Sequence, residues 1–77
     1  MEKEIRINLY SFLIKHNYKA PRTMNVIAFR KDLHSFVRDL TLSADERFAL
    51  NGALGLYTDN QYKKLLDRLL KHGHMKD

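Results

Sequence analysis

The stretch Leu42–Lys71 reads LSADERFALNGALGLYTDNQYKKLLDRLLK, and it contains the same helix-start signal twice. The two copies are Ser43–Glu46 (SADE) and Thr58–Gln61 (TDNQ), and each has the pattern of a capping box. In a capping box, the first hydroxyl accepts a hydrogen bond from the backbone N–H three residues on. The fourth side chain accepts one from the first residue's own N–H. Two helices are therefore expected to begin directly after Ser43 and Thr58.

Glycines mark where these two helices are expected to end. Gly55 and Gly73 lie downstream of the two capping boxes, and glycine adopts the left-handed conformation that closes a helix at little steric cost. The predicted helices therefore span 44–54 and 58–72. Apolar spacing predicts that the core face of the first holds Phe48 or Ala49, Leu50, Ala53 and Leu54, and that of the second Tyr62, Leu65, Leu66, Leu69 and Leu70.

Another helix is predicted over 24–40, where apolar residues recur at the spacing of one buried helical face. Thr23 or Asn25 can cap its start. Asp32 leaves an alternative open, because aspartate favours an N-cap over a helix interior. In that alternative a separate helix begins at Asp32 after a kink near 29–31.

The first helix is predicted over 3–16, and it carries two adjoining apolar stripes rather than one. A chain of 77 residues has little material to cover both, so one stripe is the candidate contact for a partner: Ile7, Tyr10 and Ile14. Pro21 disfavours helix at the residue before it and predicts a loop over 17–23. Residues 72–77 are expected to form a frayed tail.

Together these elements predict an all-α fold, a small orthogonal bundle of four helices in a single domain over 1–77. Such a chain buries only about 60% of the surface that its unfolded form exposes, so packing against a second copy or a partner is expected. The sequence contains no cysteine, which excludes disulfides and thiolate metal sites. No apolar run approaches the roughly 18 residues that cross a bilayer. We expect a cytoplasmic protein that does not enter a membrane.

Positive charge is concentrated in the first half of the chain. The net charge is +5; residues 1–40 hold eight Lys and Arg against four Asp and Glu, whereas residues 41–77 hold six against five. A basic domain of this kind is either simply solvated or binds nucleic acid through a positive face. The candidates for that face are Lys15, Lys19, Arg22, Arg30, Lys31 and Arg38. A helix-turn-helix made by 43–54 and 58–72 is a variant, and it would use Lys63, Lys64 and Arg68.

Motifs for autonomous catalysis are missing from the sequence. It has neither a Gly-x-Ser-x-Gly elbow nor a phosphate-binding glycine loop. Its four histidines include no pair at the i,i+4 spacing that chelates a metal from one helix. Asp45 and Glu46 resemble the paired carboxylates of an acid–base site, but their place in the capping box explains both residues. We therefore predict no catalytic, cofactor or metal site.

The segments Phe29–Phe36 (FRKDLHSF) and Leu42–Leu50 (LSADERFAL) resemble the helical segment of the LigA family, the small α subunit of protocatechuate 4,5-dioxygenase and its stand-alone relatives. The matching positions are Phe29, Asp32, Phe36, Leu42, Ser43 and Glu46. The resemblance implies an all-α subunit that carries no iron ligands and covers the active site of a larger catalytic subunit. The chain departs from the family where Ala53 stands near an expected Asp, and where only Gly73-His74 echoes a Gly-Gly/His stretch.

Two functions follow from the sequence. The first is a non-catalytic interaction or accessory domain, similar to the LigA small subunit, that binds a protein partner or itself. The alternative is a nucleic-acid-binding domain that uses the basic residues. Burial of the second apolar stripe of the first helix would count against the first function. Dispersal of the six cations over several faces would count against the alternative.

Overall fold

The computed structural model describes residues 8–76 and shows a bundle of four α-helices, which confirms the predicted all-α fold. Residues 1–7 and 77 lie outside the described part of the chain. Within that part there is no strand, only one isolated bridge. The helices, in chain order, are α1 (Leu9–Lys15), α2 (Val26–Asp39), α3 (Ala44–Leu56) and α4 (Asp59–Lys71).

Both capping boxes form as predicted. The Ser43 hydroxyl accepts from the N–H of Glu46, and the Glu46 carboxylate accepts from the N–H of Ser43 in return. Thr58 and Gln61 make the same exchange. The Ser43 hydroxyl also donates to Glu46, and this bond is the main cause that lowers the pKa of the Glu46 carboxyl. The boxes set the first residues of α3 and α4.

The helices α1 and α4 end in the same way. The N–H of Tyr18 donates back to the last turn of α1, and that of His74 donates back to the last turn of α4. Each bond spans a residue with positive φ, Asn17 at 57° and Gly73 at 79°. This Schellman arrangement suits glycine and is tolerated by asparagine. The predicted role of Gly73 in closing its helix is confirmed, and Asn17 closes α1 in the same way.

After these two ends, the segments 18–20 and 74–76 run side by side and form the isolated parallel bridge. The N–H of Ala20 donates to the carbonyl of His74 at 2.8 Å, and the carbonyl of Ala20 accepts from the N–H of Lys76 at 2.8 Å. Because each segment leaves a helix through a Schellman turn, both are redirected across the bundle instead of continuing outward. We name residues 74–76 the C-terminal strap.

Side chains also hold the C-terminal strap, so the prediction of a frayed tail over 72–77 is wrong as far as Lys76. The ammonium of Lys76 lies 2.9 Å from a carboxylate oxygen of Asp32, and the Lys76 carbonyl accepts from Nε of Arg22 at 2.7 Å. The three residues of the strap have no sequence pattern that predicts a strand. Their partners lie far away in the sequence, Arg22 by 54 residues, so no local signal predicted the strap.

The predicted first helix over 3–16 does not run through Asn8. That residue is extended, with φ −77° and ψ 103°, and its side chain accepts from the N–H of Ser11 as the N-cap of α1. Asparagine is among the best N-caps because its side-chain oxygen satisfies an unpaired backbone donor. The part of the prediction over 3–7 lies outside the described residues.

The end of α3 also differs from the prediction, because Gly55 lies inside the helix and does not stop it. The helix continues to Leu56 and ends at Tyr57, which is extended and donates its N–H to the Leu54 carbonyl. Tyr57 precedes the capping box of α4 and packs its ring against Tyr62, with 5.3 Å between centroids. The start of the next helix therefore ends α3, and a left-handed glycine is not needed.

The helix α2 is continuous, so the alternative of a separate helix from Asp32 is not adopted. Asn25 caps its start, and α2 packs against α4. Of the two alternatives for α3, Ala49 is partly buried and Phe48 is exposed. The residues of the core are Leu9, Leu13, Tyr18, Ala20, Phe29, Leu33, Val37, Leu50, Leu54, Tyr62, Leu65, Leu66 and Leu69.

Candidate interaction surfaces

The apolar stripe of α1 is largely used inside the chain. Tyr10 and Ile14 are partly buried and pack against the core, whereas Ile7 lies outside the described residues. The guanidinium of Arg68 covers the ring of Tyr10, with 3.8 Å between its carbon and the ring centroid. His72 and His74 approach the same ring edge-on. The described part of this stripe therefore offers a partner little open surface.

Large apolar side chains are exposed elsewhere, and the two most exposed among residues 8–76 lie on α3. Phe48 and Leu56 each expose 83% of their surface to solvent. Ile27, on α2, exposes 68%, and Met24, just before α2, exposes 64%. Eight residues separate Phe48 from Leu56, which puts both on one side of the helix within about 80° of each other. This side of α3 is a surface that no other described element covers.

Two glycines lie between these side chains on the same side of α3. A Cβ atom added to Gly52 or Gly55 would meet nothing within 4 Å, so the helix backbone is open to solvent there. We name Phe48, Gly52, Gly55 and Leu56 the α3 face. Sequence reasoning missed it because Phe48 and Ala49 are neighbours, and a rotation of about 100° decides which of them points inward.

The six cations predicted as a basic face are divided by their contacts. The three arginines bond within the chain: Arg22 to the C-terminal strap, Arg30 to Asp59 at 3.5 Å, and Arg38 to Asp39 at 3.8 Å. The three lysines are exposed, and they make no ion pair with another residue of 8–76: Lys15, Lys19 and Lys31. Two of the six cations, Arg30 and Arg38, are thus paired with a carboxylate.

A second basic surface lies in a groove of about 230 Å³ between α1 and α4, which we name the α1–α4 groove. Gln61, Lys64 and Arg68 follow each other at spacings of three and four, so they share one side of α4. They face the rings of Tyr10 and Tyr57, and no carboxylate among the described residues lines the groove. Of the cations predicted for the helix-turn-helix variant, Lys64 and Arg68 line this groove, whereas Lys63 lies outside it.

A cleft of about 440 Å³ lies between the Tyr18 segment, α2 and the strap. The Tyr18 hydroxyl donates to Asp32 at 2.7 Å, and the other Asp32 oxygen accepts from Lys76 at 2.9 Å. Burial, and then the Asp32 carboxylate, raises the pKa of Tyr18. Its hydroxyl therefore stays protonated and serves as a fixed donor. These polar groups satisfy each other, and their arrangement is one that stabilises the fold.

The described residues contain no group of three or more His, Asp or Glu placed to hold a metal ion. None of the four helices is both long and apolar enough to span a bilayer. Comparisons with protein-family models, with curated proteins and with solved structures found no match to this chain. Any function assigned to it therefore rests on the two surfaces described above, the α3 face and the α1–α4 groove.

Proposed function

We propose that this protein is a non-catalytic helical interaction domain that associates through the α3 face, and that its partner is a second copy of the same chain. The observation that carries the proposal is the exposure of Phe48 and Leu56 on either side of Gly52. Two large apolar side chains that remain in solvent on one helix face favour burial against another molecule.

The spacing on α3 suits a symmetric pair. Phe48 lies four residues before Gly52, and Leu56 lies four residues after it. A twofold axis through Gly52 sets two α3 helices antiparallel, so that Phe48 of each copy meets Leu56 of the other. Such an isologous contact is self-complementary. The open backbone at the two glycines lets the helix axes approach closely, because the distance between packed helices depends on the side chains at the contact.

The expected dimer is weak. Complete burial of one Phe or Leu side chain contributes about 1.5–3 kcal/mol, so four such side chains contribute roughly 6–12 kcal/mol. Loss of translational and rotational freedom opposes association by about 4–15 kcal/mol. The difference between these two free energies corresponds to a Kd roughly in the micromolar range or weaker. The test therefore needs a wide range of protein concentrations.

The test is sedimentation velocity on the wild-type chain and on three variants. We expect the double variant Phe48→Ser/Leu56→Ser to remain monomeric at concentrations where the wild type associates. The matched control is Met24→Ser/Ile27→Ser, which also removes two exposed apolar side chains but leaves the α3 face intact. The control should associate like the wild type. A wild type that stays monomeric at millimolar concentration would contradict the proposal.

The third variant, Gly52→Leu, separates association from folding. Leucine favours helix over glycine by up to about 1 kcal/mol, and its Cβ meets nothing within 4 Å in the monomer. We expect the thermal stability of the monomer to rise and self-association to fall, because the new side chain holds the two helices apart. Equal association of Gly52→Leu and the wild type would exclude the contact through Gly52.

The LigA resemblance supports an accessory role of the same kind. Several matched positions also have structural roles here: Phe29 is in the core, Asp32 accepts from Tyr18, and Ser43 and Glu46 form a capping box. These roles explain the matches through the fold, so we do not transfer dioxygenase function. Copurification with a coexpressed large subunit of protocatechuate 4,5-dioxygenase is the test of that relationship. A cytoplasmic location stays a prediction.

A further inference from the structure

We infer that the α1–α4 groove binds single-stranded nucleic acid, through phosphate contacts from Lys64 and Arg68 and stacking of a base against the aromatic wall. The inference is independent of the α3 face, because no residue of that face lines the groove. It also differs from the predicted basic face in the first half of the chain, where the arginines are bonded internally.

Arg68 is held differently from the other arginines of the described chain. Three of those four donate to carbonyl or carboxylate oxygens of the protein: Arg22, Arg30 and Arg47. The fourth, Arg38, lies 3.8 Å from the Asp39 carboxylate. Within residues 8–76, Arg68 makes no such bond, and its position is set by the ring of Tyr10 at 3.8 Å. A cation–π contact orients the guanidinium plane without using an N–H. No described residue therefore occupies its five donors, whose fork geometry matches phosphate.

Lys64 continues the positive side of the groove. It is exposed and lies one helical turn before Arg68, about 6 Å away along the axis of α4. That distance is similar to the separation of neighbouring phosphates in an extended strand. The acidic residues of α4, Asp59 and Asp67, do not line the groove. A polyanion that follows this side of α4 thus meets two cations in succession and no carboxylate among the described residues.

The opposite wall supplies flat surfaces for a base. Tyr57 is partly exposed, and its edge contact with Tyr62 at 67° fixes the orientation of its ring. Tyr10, whose ring lies under the guanidinium of Arg68, lines the same groove. Bases stack on tyrosine rings and on guanidinium planes alike. In a duplex the bases are already stacked on each other, so a groove of about 230 Å³ favours a single strand over a duplex.

The test is fluorescence anisotropy with a labelled, mixed-sequence single strand of about 16 nucleotides, titrated with the full chain at several salt concentrations. We expect the wild type to bind, with an affinity that falls as salt rises. The variant Lys64→Ala/Arg68→Ala should lose roughly tenfold or more in affinity. The slope of log affinity against log salt concentration should become shallower by about 1.4, because each lost phosphate contact removes about 0.7 from the slope.

The matched control is Lys31→Ala/Lys63→Ala, which removes the same charge from exposed positions outside the groove. Its affinity should stay within about threefold of the wild type, because only the long-range part of the attraction is lost. Tyr57→Leu tests the stacking separately and should lower affinity by about fivefold or more. Circular dichroism melts confirm that each variant is folded, and Lys64→Gln alone replaces the double variant if that one is not.

Four outcomes would each overturn the inference. The first is a wild type that does not bind the strand at low salt. The second is an equal loss of affinity in the groove variant and its matched control, which would mean diffuse charge. The third is a duplex bound as tightly as the single strand. The fourth is displacement of the strand by polyglutamate at equal charge concentration, which would mean that the groove accepts any polyanion, acidic peptides included.

Discussion

Tyr18 contacts α2 directly, and through Asp32 it is linked to the C-terminal strap. Its side chain is buried, with 2% of its surface exposed, and it contacts Phe36 edge-on at 4.8 Å between centroids. A buried hydroxyl needs a partner, and Asp32 supplies it while also binding Lys76. This explains why an aspartate is kept in the middle of α2, where its helix propensity is poor.

The raised pKa of Tyr18 predicts a loss of stability in alkali. The folded chain keeps the hydroxyl proton above pH 10, because burial and the Asp32 carboxylate raise the pKa of Tyr18. The unfolded chain releases it at its ordinary pKa of about 10. The unfolded state thus binds fewer protons, and the free energy of unfolding falls by about 1.4 kcal/mol per pH unit above pH 10. Urea unfolding between about pH 8 and pH 11 measures this slope.

Tyr18→Phe isolates the contribution of this one hydroxyl. The variant loses a hydrogen bond to a carboxylate, worth about 1.5–3 kcal/mol near neutral pH, but it should show a shallower decline in alkali than the wild type. Lysines also titrate in that range, and burial raises the pKa of Tyr62 as well, so the difference between the two chains is the quantity to compare. Parallel declines in both would show that Tyr18 does not carry the effect.

At the scale of single elements, the starts of α3 and α4 were predictable because both partners of a capping box lie within four residues. The Asn25 cap of α2 was predicted as one of two alternatives for the same reason, whereas the Asn8 cap of α1 was missed. The end of α3 was not predictable from Gly55, because it depends on Tyr57 and its contact with Tyr62 in the next helix. Contacts between helices also set the rotation of α3, and therefore the exposure of Phe48.

The capping box of α4 makes a prediction about stability. Thr58→Ala removes the hydroxyl that accepts from the N–H of Gln61, and loss of such a cap costs about 1 kcal/mol. The matched control is Thr41→Ala, at an exposed connection where the threonine side chain makes no hydrogen bond to another described residue. Chemical denaturation should show a lower unfolding free energy for Thr58→Ala and little change for Thr41→Ala. Equal effects of the two substitutions would mean that the box contributes nothing.

At the scale of the whole molecule, the C-terminal strap joins the exits of the first and last helices. The helix end at Gly73 and the loop over 17–23 were predicted from the sequence, but the left-handed turn at Asn17 and the pairing itself were not. Ala20 and Met75 belong to segments without strand character, and only the folded bundle brings them together. The sequence therefore predicted four helices correctly, but it did not predict the contacts between residues that are distant in the chain.

Removal of the strap tests its contribution to stability. A chain that ends at Gly73 loses the bond from His74 to the last turn of α4 and two backbone hydrogen bonds to Ala20. It also loses the Lys76 contact with Asp32 and the bond from Arg22. We expect a loss of about 2–4 kcal/mol, which lowers Tm by roughly 10–25 °C in a domain of this size. Differential scanning calorimetry measures the change.

The control for this truncation is Lys76→Ala, which keeps the backbone pairing and removes only an exposed ion pair with Asp32. Exposed ion pairs contribute about 0–1 kcal/mol, so Tm should fall by only a few degrees. If the truncated chain melts no lower than Lys76→Ala, the backbone bridge does not stabilise the bundle.

The bridge between Ala20 and Met75 also bears on how the protein folds as it is made. A chain on the ribosome emerges from its N-terminus, so α1, α2 and α3 are complete before residues 74–76 have been added. Until those residues clear the exit tunnel, Ala20 lacks both of its backbone partners, and Asp32 lacks one of its two. Until then the nascent chain lacks the bonds of the strap, so any structure formed by its earlier helices is less stable than the complete bundle.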